Sequence, residues 1–445
     1  MIKLTYLFIT LLFSISFCVG QQNPAITSWL QNTTVTGTYY IQGNNTPISN
    51  NILVNCQQVE YSSDYVYVTA TGIPAYTTGP FLDGNPSLAQ NQNAIYKFSL
   101  NPQQNTGTPS STTSGNIGVF INGTALFDYR DGVAWNPTTN ALCGGPGNPP
   151  CPGGPSAIMD WNRDAIPAEL GGFDCSKGHP AMGAYHHHQN PSAFKLDLSV
   201  LSSICNLYDA DGLYVIDSTQ HSPILGFAYD GHPIYGAYGY KNSDGTGGIT
   251  RIKSSYQLKN MTSRVNGPPV NNTYFLGYFK EDYEYISNNN SDYLDDHNGR
   301  FCITPDYPNG TYAYFCTVDE NWNSAYPYAV GPTFYGVYAN ASVNNISEPT
   351  TIYNNTSTTS EFNASQVTVF PNPTSDLIAI QIGSLNTTSY SVKLLDNQGK
   401  LIKQKTIHAG STITYFSTET LYNGTYFIQI SDGINYLNKT IVLNR

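Results

Sequence analysis

Charge is the scarcest property of this sequence. Asp, Glu, Lys and Arg make up 11% of its 445 residues, where soluble domains usually carry about 25%. The 19 basic residues form no cluster and are outnumbered, giving a net charge of −11. Such a surface repels a phosphate backbone and offers no basic stripe to hold one, which excludes nucleic acid as a partner. Sustained helical periodicity is also missing. So are the HExxH, GxSxG, GxxxxGKS/T and GxGxxG signatures, which removes the common metalloprotease, hydrolase and nucleotide-binding readings. Beyond the N-terminus no apolar run is long enough for a transmembrane helix.

What fills the gap is polar and uncharged. Tyr (35) and Gly (39) are abundant. Asn, Gly and Thr are poor helix formers, while Tyr and Thr favour strands. The expected fold is mainly β: a large, irregular β-rich domain and a small C-terminal antiparallel β-sandwich. In "VEYSSDYVYVTATG", Tyr65, Tyr67, Thr69 and Thr71 fall on one face of a strand, and Val66, Val68 and Ala70 on the other. "MDWNRDAIPAELGG" is the best short helix candidate, broken by Pro167 and ended by Gly171.

The chain opens on "MIKLTYLFITLLFSISFCVGQQ". One Lys, an apolar run to Phe17, and small residues at Cys18 and Gly20 before Gln21 predict a secretory signal peptide over residues 1–20. An exported chain meets oxidising conditions, so disulfides are expected. Cys302 and Cys316 lie equally far from Asn309, inside a Pro-Asn-Gly turn, and predict a bridged hairpin. Cys143 and Cys151 bracket the short loop "GGPGNPP" and are a second candidate pair; Cys175 with Cys205 is a third, leaving Cys56 free.

The remainder divides into a large domain with an N-terminal β extension (21–345), a flexible polar linker (346–366) and a compact tail (367–445). The tail opens with "VFPNPTSD". In "LIAIQI", Ile378, Ile380 and Ile382 share the buried face, and "YSVKLLDNQGKLI" is a hairpin around Asn397-Gln398-Gly399. The Pro371-to-Pro373 opening, the "NQGK" turn, Leu421 with Gly424-Thr425-Tyr426, and Lys439 make this tail resemble the C-terminal sorting domain of the type IX secretion system of Bacteroidota. The resemblance implies that the type IX machinery is a partner, and that the protein is secreted or held at the cell surface.

The large domain contains "GAYHHHQNP". With "IGVFINGTALFDYRDG", "HSPILGFAYDGHPIYGAYGY" and "DYLDDHNGRFCITPDYPNGTYAYF", it resembles the YHYH-domain family from about Ile26 to Tyr338. Tyr185, His186 and His188 match the name-giving string; His187 stands where it has Tyr. The resemblance implies a site but no reaction.

Alternation along a strand puts His186 and His188 on one side, about 7 Å apart, with Tyr185 and His187 opposite. A His-x-His pair supplies two imidazoles, and a tight site needs a third ligand. His179, His221, His232 and His297 are the candidates. His221 and His179 are favoured, because a following Pro or Ser-Pro stiffens the backbone. Tyr185, Asp295, Asp296 and His297 are candidates for orienting the ligands. Imidazoles outside the cell suit Cu or Zn, and binding by neutral rings is expected to weaken below about pH 6. Arg300 is expected to pair with Asp295 or Asp296, and Glu281, Asp282 and Glu284 to lie on a solvated edge strand. "DADG" (Asp209 to Gly212) reads as a turn. The rival function is a glycan- or polymer-binding surface protein that stacks its ligand on exposed Tyr and on Trp135, Trp161 and Trp322. Whether the chain is catalytic stays open.

Overall fold

The computed structural model describes residues 22–445 apart from 84–86, 146, 154–158, 195–204, 206–211, 355–366, 384–388, 409 and 432–435. The expected signal peptide, Asp209 to Asp211, and the later part of the expected linker lie outside the described residues.

The chain is mainly β. Val66 and Val68 are fully buried in the strand Tyr65–Ala70. That strand is the centre of a five-stranded sheet, flanked by Ala94–Ser99 and Cys56–Tyr61. Ser342–Val343 and Thr351–Ile352 close its two edges. The first part of the expected linker is therefore structured: Thr351 pairs with Tyr61, and the Tyr353 amide donates to the Val59 carbonyl.

An eight-stranded sheet shares its core with the first. Its order in space is Gly178–Ala181, Ala184–His187, Ala125–Phe127, Asn116–Phe120, Ile224–Ala228, Pro233–Tyr235, Thr311–Phe315, Gly299–Cys302. Two joints are parallel, at Ala184–His187 beside Ala125–Phe127 and at Pro233–Tyr235 beside Thr311–Phe315. One hydrophobic cluster unites Trp29, Val66, Val68 and Phe98 with Phe120, Phe227, Ile234 and Tyr314. Apolar residues thus face one another from both sheets, as the period of two demands.

Disulfides join Cys143 to Cys151 and Cys175 to Cys205. The expected Cys302–Cys316 bridge does not form; both are buried free thiols, as is Cys56. The hairpin register is the reason. Cys302 pairs with Thr311, not Cys316, so the hairpin is centred between Asp306 and Tyr307 rather than on Asn309.

The tail is a small sandwich of a three-stranded and a four-stranded antiparallel sheet. Ile378, Ile380 and Ile382 point into its core with Val392, Leu394, Phe416, Ile428 and Ile430. No described helix is long and apolar enough to cross a membrane.

Candidate metal centre

The strands Gly178–Ala181 and Ala184–His187 form an antiparallel hairpin at the end of the large sheet. It reverses through Met182 (φ 49°) and Gly183 (φ 89°). Positive φ at both central residues is what a tight two-residue hairpin needs. The register pairs His179 with His186. Directly opposed residues project to the same face, so the hairpin brings His179 to His186.

His188 lies just past the strand, where the chain bends. Its ring swings back, bringing His188 Nε2 to 3.1 Å from His186 Nε2. The two side chains therefore meet far more closely than the 7 Å of a straight strand. Ligand nitrogens of His179, His186 and His188 all lie within 4.8 Å of one another, and all three residues are buried.

The ring protons are fixed by the surroundings. His186 Nδ1 donates to the Ala184 carbonyl (2.9 Å), and His188 Nδ1 donates to the Asp128 carbonyl (2.6 Å). A carbonyl only accepts, so each neutral ring keeps its proton on Nδ1 and its lone pair on Nε2. Two lone pairs converge with no proton between them. Neither ring nitrogen of His179 has a protein hydrogen-bond partner. Phe127 stacks on His186 with centroids 3.9 Å apart, and the edge of Phe173 meets His179 at 4.8 Å.

Burial holds these rings neutral. It lowers His179 to about 3 and His188 to about 4, with neighbouring histidines adding to the effect at His179. His186 is driven well below its usual value by burial and by both neighbours. A neutral imidazole is the form a metal ion binds.

A carboxylate that sequence reasoning missed completes the cluster. Glu169 Oε2 lies 3.3 Å from His179 Nε2 and 3.5 Å from His188 Nε2. This oxygen is buried without a hydrogen-bond partner. Glu169 follows the helical turn Ala165–Ala168, which Asp164 caps by accepting from the Ile166 amide (2.9 Å). The Ala165 amide donates to the Tyr129 carbonyl, tying the turn to the chain beside Asp128. Burial, then the nearby Asp131, raises the Glu169 carboxyl to about 8.

The remaining candidates lie elsewhere. His221 is packed among Tyr235, Tyr240 and Phe315, and its Nδ1 donates to the Ser222 carbonyl (2.7 Å). It lies outside the strands, beside Tyr235 and Phe315 of the large sheet, so the Ser-Pro that stiffens it does not aim it at the pair. His232 lies against Tyr312 and Tyr335. Asp295 accepts from the Tyr312 hydroxyl, Asp296 lies 3.8 Å from His297, and His297 Nδ1 bonds to Thr333 Oγ1 (2.6 Å). None of these groups orients the cluster; two backbone carbonyls do. Tyr185 points to the opposite face, as alternation requires, and donates to Asp174 (2.9 Å).

Other expectations also change. Arg300 donates to the backbone carbonyls of Lys241, Ser291 and Tyr240 rather than to Asp295 or Asp296. Asp282 is not on a solvated edge: it is fully buried and accepts from Nε and Nη2 of Arg264. Trp135 and Trp161 are buried, and Trp322 packs against the tail, so these rings are not open stacking platforms.

A β-rich chain with a buried three-histidine cluster and a separate C-terminal sandwich is the class these features define. Residues 95–327, more than half of the chain, match the family described as YHYH protein, and the chain belongs to that family. Residues 368–444 match the secretion system C-terminal sorting domain, the address for export by the type IX system to the cell surface or medium. No curated protein matches the chain. One similar solved structure is a DUF3244 family protein with an immunoglobulin-like β-sandwich fold from Bacteroides vulgatus ATCC 8482. It has 14% identity and a TM-score of 0.16, covering 18% of this chain and 85% of that one.

Proposed function

We propose that this exported protein binds one transition-metal ion, Cu or Zn, through Nε2 of His179, His186 and His188. The observation that carries this reading is the approach of two Nε2 lone pairs to 3.1 Å while both Nδ1 protons are committed to carbonyls. Facing acceptors repel in a buried site unless an electrophile lies between them. Imidazole ligands suit both Cu and Zn. The carbonyls on Nδ1 supply the outer support that fixes ring tautomer and orientation at metal-ligating histidines. The same reading assigns residues 21–345 to the metal-holding body and 367–445 to the export address.

The test is metal analysis of the purified full chain beside His186→Ala/His188→Ala. After loading with Cu or Zn and desalting, the wild type is expected to retain about one ion per chain and the double variant none. Equal metal in the two proteins removes the proposal.

A further inference from the structure

We infer that Glu169 is the fourth ligand and the exchangeable one. This rests on the metal reading above and deepens it. Around a tetrahedral ion with bonds of about 2.0–2.1 Å, ligand atoms lie about 3.3–3.4 Å apart. The separations here are 3.1 Å between His186 and His188, 3.3 Å between His179 and Glu169, and 3.5 Å between His188 and Glu169. These three separations match the edges of a tetrahedron, and the three histidine nitrogens as a set lie within 4.8 Å of one another.

The four ligands are not held equally. His179 and His186 sit on paired strands, and Nδ1 of both His186 and His188 is anchored. Glu169 hangs from the end of a single helical turn. Its side chain is 26% exposed, against 9% for His179 and 4% for His188. It stands on the solvent side of the cluster. Of the groups that would hold the ion, this carboxylate is the one a small anion or a substrate oxygen would replace. Three fixed histidines and one replaceable position is the pattern of a reactive site rather than a closed structural one.

Glu169→Ala and Glu169→Gln, loaded with Co(II), test this through visible absorption, chelator competition and azide titration. Glu169→Ala is expected to weaken Co(II) binding by about ten- to a hundredfold, the scale on which lost support weakens metal sites. It is also expected to change the Co(II) spectrum and bind azide more tightly than wild type. An unchanged spectrum and affinity in both variants overturns the role of Glu169 and leaves the three-histidine site standing. If wild type binds no more Co(II) than His186→Ala/His188→Ala, the metal reading and the role of Glu169 fall together.

A different observation carries a second inference. The two outer faces of the tail sandwich are unlike. The four-stranded sheet turns Ser391, Lys393, Gln404 and Gln429 outward. The three-stranded sheet turns Phe370, Leu377, Ala379, Ile413 and Tyr415 outward, in register with one another apart from their polar neighbours. Strand Ile413–Ser417 is thereby buried on both faces through Phe416. An isolated sandwich needs only one apolar face per sheet. Here the outer face packs on Val215 and Trp322 of the body, and the Asn55 amide donates to the Gly410 carbonyl (2.6 Å). We propose that this face holds the tail on the body without help from the linker.

A protease site placed within residues 355–366 of the full chain tests it. After cutting, the two pieces are expected to co-elute on size exclusion. Ala379→Arg is expected to separate them, while Lys393→Glu on the polar face leaves them together. Circular dichroism of uncut Ala379→Arg checks that the sandwich is folded. Separation of the cut wild-type protein overturns the proposal.

Discussion

His187 and its two neighbours share one short stretch of chain but not one chemistry. All three are buried, and burial depresses all three, His187 to about 3. Neither property tells them apart. Hydrogen bonding does. His187 Nδ1 donates to the Lys177 carbonyl (3.0 Å), and its Nε2 accepts from the Tyr76 hydroxyl (2.7 Å). Burial keeps that phenol protonated, so it remains the donor. Both nitrogens of His187 are used within the protein. The Nε2 atoms of His186 and His188 meet each other, and that of His188 also meets Glu169, beside His179. A structural histidine is one whose two nitrogens are both spoken for; a candidate ligand keeps one in hand.

Substitution should divide the two faces cleanly. His187→Ala removes a fully buried ring packed against Phe120 and Tyr185 and takes away the imidazole acceptor of the Tyr76 hydroxyl. The cavity and the lost partner predict a loss of about 3–5 kcal/mol in denaturant unfolding, with metal content per folded chain unchanged. His186→Ala should do the reverse. Metal affinity should fall at least about a hundredfold, or about 2.7 kcal/mol, in chelator competition. Its metal-free stability should fall by less than that of His187→Ala, because the change also removes a lone-pair conflict. If His187→Ala loses metal while still folded, the division between the faces is wrong.

Acid should not respect the division. In the unfolded chain these histidines titrate near 6.5; folded, they stay neutral until about 3 to 4. Between those values the unfolded state binds more protons. The histidine contribution to the stability of the metal-free protein is therefore full above 6.5 and lost as pH falls toward 4, at up to about 1.4 kcal/mol per pH unit for each histidine. The raised Glu169 carboxyl acts in the opposite sense, its contribution being lost as pH rises toward 8. Unfolding of the metal-free protein at a series of pH values should show this slope. His186→Ala/His188→Ala and His187→Ala should each reduce it. The bound ion should persist well below the pH of about 6 expected for solvent-exposed imidazoles.

How much of this was legible depended on how far apart the partners lie in sequence. The tail strand with Ile378, Ile380 and Ile382 could be read because one alternating face is a local pattern. The shared side of His186 and His188 was local too. His179 carried a usable signal: a hairpin turning at Met182-Gly183 sets it opposite His186. Weighing Pro after each histidine gave His221 equal rank, because stiffness says nothing about direction. Glu169 carried no such signal. It reaches the cluster from a separate turn, through contacts made by Asp164 and Tyr129. The Cys302–Cys316 error has the same root, since symmetry about Asn309 is not strand register.

The smallest effect gives the finest test of the two faces. Tyr76→Phe deletes one hydroxyl and keeps the ring that packs edge-on against His187 and Tyr185. His187 Nε2 then stays buried without a donor, a loss of about 1–2 kcal/mol in the unfolding midpoint. The strand backbone and the Nδ1 anchors of His186 and His188 are untouched, so Co(II) affinity and absorption should match wild type. A shift in Co(II) affinity beyond a few-fold would mean that strain on one face of the strand reaches the other. His187 would then be a positioning residue for the cluster rather than an independent piece of the core.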